Sequence, residues 1–318
     1  MKSAMPKVSP RILPLLTAAL AAFGVCCALA QTDAPRLSDV TSWAFQLQNV
    51  DPFEVMLSPY DVIVIDYGFD KRNATAFPRE VVDMMRKRPN GKRRYMFAYM
   101  SIGEAEIYRY YWQDSWLANR PEWLEPENPN WPGNYLVQFW HPEWQSIIYG
   151  GPNAYLDRII DAGFDGVYLD GVDKYEQWRR KRPDAGDAMV SFVAGLATYA
   201  RALRKDFLIV PQNGDRLLGN LQFRGVIDGV AREDLLYSEH DAETRNEALS
   251  IEDSVKRLRW VSEAGKPVFV IEYTANAGLA ADMLQEIRSL GFVGYVAERS
   301  LRRLSPPVFG CGQPDCSR

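Results

Sequence analysis

The sequence predicts an α/β fold, a single (β/α)8 TIM barrel with a long aromatic-rich insertion after its third strand. Three observations carry this expectation. Eight short apolar segments alternate with amphipathic helical ones, the pattern of a parallel sheet. Most of those segments carry a carboxylate or an amide at or next to their ends, as strands do at the catalytic rim of a barrel. No glycine-rich phosphate-binding turn follows an early strand, which disfavours the alternative, a doubly wound open sheet.

The strand segments are Trp43 to Leu47, Val62 to Tyr67, Arg94 to Ile102, Gly166 to Asp170, Phe207 to Gln212, Val226 to Glu233, Pro267 to Tyr273 and Val293 to Glu298. Each is rich in β-branched or aromatic residues and bounded by Gly, Pro, Asn or Asp. Helical patterns lie between most of them. Pro78 to Lys87 starts with proline in its first turn. Tyr155 to Ala162 and Met189 to Arg204 carry apolar stripes. Ser250 to Ala264 opens on a capping serine and stops at Gly265, and Leu279 to Leu290 stops at Gly291. No internal repeat is evident.

Residues 1–30 have the pattern of a secretory signal peptide, with Lys2, Lys7 and Arg11 ahead of an apolar run and cleavage near Ala30. Export to the periplasm or the extracellular space is therefore expected, with no stable membrane insertion after cleavage. Residues 31–304 are expected to form the barrel and 305–318 a C-terminal tail. Losing the three leader cations takes the net charge from −4 to −7. No basic patch points to nucleic acid. Only Cys311 and Cys316 remain after cleavage, a possible disulfide in an exported chain. With two isolated histidines, His141 and His240, neither a metal site nor a histidine-dependent nucleophile is expected. Chemistry falls to carboxylates, with no cofactor and no metal.

Between Tyr99 and Tyr155 lie six of the nine tryptophans, interleaved with Tyr108, Tyr110, Tyr111, Tyr135 and Phe139. Flat rings with polar edges suit the apolar faces of sugars, although most of these rings are expected to pack the long loop. At the predicted strand ends stand Asp66 and Tyr67, Glu104, Asp170, Asn213, Glu233, and Glu272 with Tyr273. Two carboxylates flanking a cleft are the machinery of glycoside hydrolysis. Asp170 and Glu233 are the first-choice pair, because small residues of the same parity beneath them, Gly166 under Asp170 and Gly229 and Ala231 under Glu233, suggest a face turned into the barrel. Tyr168 shares the parity of Asp170. Asp66, Tyr67, Glu104, Tyr168, Asn213, Glu272 and Tyr273 are the expected sugar-binding residues. Asp173 and Glu176 read as loop residues.

Trp43-Ala44-Phe45-Gln46-Leu47, Tyr60-Asp61-Val62-Ile63-Val64-Ile65-Asp66-Tyr67, Tyr99-Met100-Ser101-Ile102-Gly103-Glu104-Ala105-Glu106 and Gly163-Phe164-Asp165-Gly166-Val167-Tyr168-Leu169-Asp170 resemble, in this order, glycoside hydrolase family 114, the endo-α-1,4-polygalactosaminidase-like TIM barrels. Gly229-Val230-Ala231-Arg232-Glu233-Asp234-Leu235-Leu236-Tyr237 is similar to the sixth-strand motif of the bacterial and archaeal branch. The resemblance runs from about Trp43 to Glu298. It implies hydrolysis of galactosamine-containing polysaccharide, with Asp170 and Glu233 in the catalytic roles. Gly171 stands where fungal-type members carry Asn, and the tryptophan-rich insertion is longer than in the shorter members. The expected protein is an exported, monomeric glycosidase acting on polysaccharide. The alternatives are a catalytically silent carbohydrate-binding barrel, a hydrolase of a different glycan, and an assembly protein of a matrix-building system.

Overall fold

The computed structural model describes residues 36–69 and 75–306. The expected signal peptide and the Cys311/Cys316 pair lie outside them. The strands in chain order are β1 (Trp43–Gln46), β2 (Val62–Ile65), β3 (Tyr95–Ser101), β4 (Glu104–Glu106), β5 (Leu124–Glu127), β6 (Asn134–Val137), β7 (Gly166–Asp170), β8 (Leu208–Pro211), β9 (Val230–Glu233), β10 (Val268–Tyr273) and β11 (Val293–Ala297). Eight of them are parallel and form two sheets, one ordered β1-β2-β3-β7-β8 and the other β9-β10-β11.

The sheets share an interior. A parallel bridge between Gln212 and Ala231 links β8 to β9, and the Asn213 amide donates to the Ala231 carbonyl at 2.8 Å. Across the fold, the Leu47 and Gln48 amides both donate to the Leu301 carbonyl. Trp43 on β1 packs against Tyr168 of its own sheet at 6.1 Å and against Phe269 and Tyr295 of the other sheet at 5.2 and 5.9 Å. Phe45 meets Tyr168 at 5.0 Å and Tyr99 at 6.2 Å. Offset and tilted ring pairs of this kind add to the area they bury. Gly166 opens β7 because a Cβ there would lie 2.4 Å from the Leu208 carbonyl oxygen.

The amino-terminal ends of the strands are stapled by aspartates. Asp61, just before β2, accepts the Thr41 and Ser42 amides at 2.9 and 3.1 Å and pairs with Arg88. Asp165, just before β7, accepts the Met96 amide at 2.9 Å and pairs with Arg86, Arg93 and Arg204. Asp228, just before β9, accepts the Ile209 amide at 2.7 Å and pairs with Arg201 at 2.8 Å. Each carboxylate gathers an otherwise unpaired strand-start amide and a guanidinium, so burial of the charge is compensated.

Three sequence expectations are corrected. The segment Val226 to Glu233 is not all strand: Leu221–Val226 is a helix, capped by the Asn220 side chain at the Gln222 and Phe223 amides, and the strand begins only at Val230. Ser250 is not a cap, because its helix already starts at Ala248. The long aromatic connection, expected as loop, contains the antiparallel sheet β4-β6-β5 and a helix, Pro142–Ile148. His141 caps that helix, its Nδ1 accepting the Glu143 amide at 3.3 Å. The tryptophans pack mostly on one another, Trp112 on Trp116, Trp116 on Trp123 and Trp123 on Trp144, all within about 5 Å. Trp131 is the exposed member of the insertion's tryptophans, at 45%.

Candidate active site at the carboxyl ends of the strands

Asp170 ends β7 with one oxygen taking the Tyr99 hydroxyl at 2.6 Å and the other its neighbour's amide, Gly171, at 2.7 Å. Tyr99 sits directly across the ladder from Tyr168, and Ser101 from Asp170. Gly171 has φ +71°, and a Cβ there would stand 2.8 Å from the Gly103 amide nitrogen. A Cβ on Gly103 would in turn lie 2.2 Å from the Gly171 carbonyl oxygen. The two glycines let the chain leaving β3 cross the chain leaving β7 in contact. An asparagine at 171 would accept the left-handed backbone, but its Cβ would not fit.

Glu233 ends β9. One carboxylate oxygen accepts the Gln212 side-chain amide at 2.5 Å, the other accepts the Tyr273 hydroxyl, and the Glu233 backbone amide donates to Asn213 Oδ1 at 3.1 Å. Burial pushes the Glu233 carboxyl up to about 7; the Tyr273 hydrogen bond opposes this, and the negative charges of Asp170 and Asp234 reinforce it. One strand, β8, separates β7 from β9. At about 4.8 Å per strand their ends stand roughly 10 Å apart, with the Glu233 carboxylate on the Gln212 side chain just past β8. The Tyr168 hydroxyl lies beneath, buried, without a hydrogen-bond partner and in the field of both carboxylates.

The structure therefore gathers Asp170, Glu233, Tyr168, Asn213 and Tyr273. It places the other expected residues differently. Asp66 is buried and paired with Arg109 at 2.6 Å, and Arg109 also holds Glu106 at 2.5 Å. The Tyr67 ring is buried against Tyr155 and Tyr110. Glu104 pairs with Lys174 at 3.4 Å and accepts Asn128 at 2.7 Å. Glu272 accepts the Leu236 and Tyr237 amides at 2.7 and 3.3 Å and so fixes the turn after β9; burial raises its carboxyl to about 7. Asp234, next to Glu233, has φ +51° and is held by Arg299 at 2.7 Å. Among the described residues no group of three or more His, Cys, Asp or Glu is arranged to hold a metal ion.

A family model described as glycoside-hydrolase family GH114 matches residues 27–313. The chain belongs to family GH114. An uncharacterized protein of Methanocaldococcus jannaschii is 39% identical over 270 residues, 80% of this chain and 75% of that one. Another, from Thermotoga maritima, is 35% identical over 273 residues, 82% and 81% of the two chains. The glycoside hydrolase domain of PelA from Pseudomonas aeruginosa shares the fold, with a TM-score of 0.61 at 21% identity over 83% of this chain and 97% of that one. GH114 membership makes the chain a glycoside hydrolase, and the strand-end carboxylates are where such chemistry is sought.

Sequence reasoning missed Tyr99, Arg109 and Lys174. Tyr99 carried a usable signal, since it alternates with Ser101 and belongs to the strand beside Asp170. Arg109 follows Glu106 by three residues but acts across forty-three residues on Asp66, which no local pattern reveals. Tyr99→Phe removes a hydrogen bond to a carboxylate, worth about 1.5–3 kcal/mol. It is expected to lower kcat/KM by roughly 10- to 100-fold. An unaltered kcat/KM would show that the phenol does not serve Asp170.

Proposed function

We propose that this GH114 chain is an exported endo-glycosidase of α-linked galactosamine-type polysaccharide, built on a closed (β/α)8 barrel, with Asp170 as nucleophile and Glu233 as acid/base. One observation carries the assignment: two carboxylates share a rim, and their environments differ. Asp170 accepts the Tyr99 hydroxyl and the backbone amide of Gly171, whereas the Glu233 carboxylate accepts from two side chains, Gln212 and Tyr273. Glu233 is desolvated and keeps its proton to about pH 7. Such divergence assigns acid and nucleophile roles.

In the first step Glu233 gives its proton to the glycosidic oxygen as that bond breaks, and the Asp170 carboxylate bonds to the anomeric carbon. In the second, Glu233 takes a proton from water, whose oxygen attacks the same carbon and releases Asp170. The anomeric configuration is retained. Galactosaminogalactan-type polymer is the test substrate. Asp170→Asn is expected to abolish chain shortening, and NMR of early wild-type products is expected to show the α-anomer. Wild-type-like turnover by Asp170→Asn would refute the role of this residue, and an initial β-anomer would refute the nucleophilic scheme.

A further inference from the structure

At Asp173, three residues past Asp170, a polar cleft of about 410 Å³ opens between the loops that follow β7 and β8 and the helix Ala248–Ser262. That volume is in the range of small-ligand sites. Its charges are mixed, and nearly all are matched. Arg257 holds Asp215 at 3.3 Å and Asp253 at 2.7 Å; Arg232 reaches Asp215 at 4.0 Å; Arg216 reaches Glu176 at 3.9 Å. Asp173 is the exception. Among the described residues it makes no ion pair, because its neighbour Lys174 is drawn to Glu104.

We propose that this cleft is a sugar subsite adjoining the cleaved bond, and that Asp173 in it binds the ammonium group of a hexosamine residue. The inference rests on the glycosidase reading above and adds to it a residue that selects free amines. A partly buried carboxylate without an ion-pair partner is costly, and a cation delivered by the ligand reduces that cost. Arg257 is held by Asp215 and Asp253, and Lys174 by Glu104, so neither closes an ion pair on Asp173. The lining is otherwise serine, glutamine and charged side chains, which suits a hydroxyl-rich ring better than an apolar ligand. Burial, with the nearby negative charge of Asp170, raises the Asp173 carboxyl to about 6 against the pull of Lys174 and Arg232; this marks a site where added positive charge is favourable.

The test compares α-1,4-linked galactosamine oligomers with their fully N-acetylated counterparts, which keep the ring and lose the charge. Asp173→Asn is expected to lower kcat/KM about 10-fold for the free-amine oligomers, mostly through KM, and to leave the N-acetylated ones unchanged. The unchanged arm also certifies the fold. In a Glu233→Gln background, calorimetry is expected to show the free-amine oligomer binding about 10-fold more weakly when Asp173→Asn is added. Cleavage by the wild type without discrimination by Asp173→Asn would overturn the subsite and spare the reaction. Weakened binding without cleavage of any oligomer would overturn the reaction and spare the subsite. Equal or undetectable binding by both backgrounds would overturn the subsite.

Discussion

Glu233→Gln is expected to lower kcat/KM by about 100- to 10,000-fold, the span that a general acid and base contributes. Glutamine keeps the hydrogen bond from Tyr273 available but carries no transferable proton. The wild-type pH profile should fall on its alkaline side near pH 7, where the Glu233 carboxyl loses the proton it must donate. The same shift has a stability consequence. The folded carboxyl titrates near 7 and the unfolded one near 4.5, so the folded state binds the extra proton between those values. Its contribution to stability therefore falls as pH rises through that window. Glu233→Gln, which cannot ionise, should gain on the wild type by about 3 kcal/mol at pH 8 and by little at pH 4. A melting-temperature difference that is the same at both pH values would contradict the buried acid. An alkaline limb unmoved from the wild-type position in a partly active Glu233→Asp variant would contradict its role in the reaction.

Asp165→Ala is expected to cost about 3–5 kcal/mol of unfolding free energy, the range for breaking a buried ion pair from one side. Asp165 is 2% exposed and serves three arginines and the Met96 amide at once. Its removal leaves those guanidinium groups crowded at the foot of β7 without their shared negative charge. The contrast is Asp206, which meets one of the same arginines, Arg204, at 3.2 Å but with a side chain 78% exposed. Asp206→Ala should cost no more than about 0.5–1 kcal/mol, because such a pair is screened by water. Urea denaturation of both variants decides the matter: losses of similar size would mean that the cluster at Asp165 does not act as a unit.

The strands were legible because their apolar runs are short and end in charge, and seven of the eight boundaries lie close to where the alternation of elements put them. The sixth failed at its start. Val226 and Ile227 look like strand, but Asn220 caps a helix just upstream and Phe223 is buried from it. That Asp170 and Glu233 stand at strand ends was legible from the strand segments. Asp66 and Glu104 were not separable from them, because a strand-end acid looks the same in sequence whether it faces ligand or an arginine brought in by a distant loop. Glu272 shows this most plainly: its carboxylate is consumed by two backbone amides of the turn after β9. A short recurrence also went unread. Asp61 precedes Asp66, Asp165 precedes Asp170 and Asp228 precedes Glu233, each by five residues. The first acid of each pair staples the amino end of a strand, and the second stands at the other end.

The crossing of Gly103 and Gly171 bears on how such a site is able to diversify. A side chain at either position collides with the other's backbone, so this flank offers evolution no single-residue step. Lys174 on Glu104, and Trp140 on Trp178 at 4.8 Å, lace the same two segments together farther out. Latitude lies on the opposite flank, at the cleft beyond β8, which is lined mostly by side chains. Changes of substrate among relatives should accumulate there, while the glycine crossing holds the aspartate in one place.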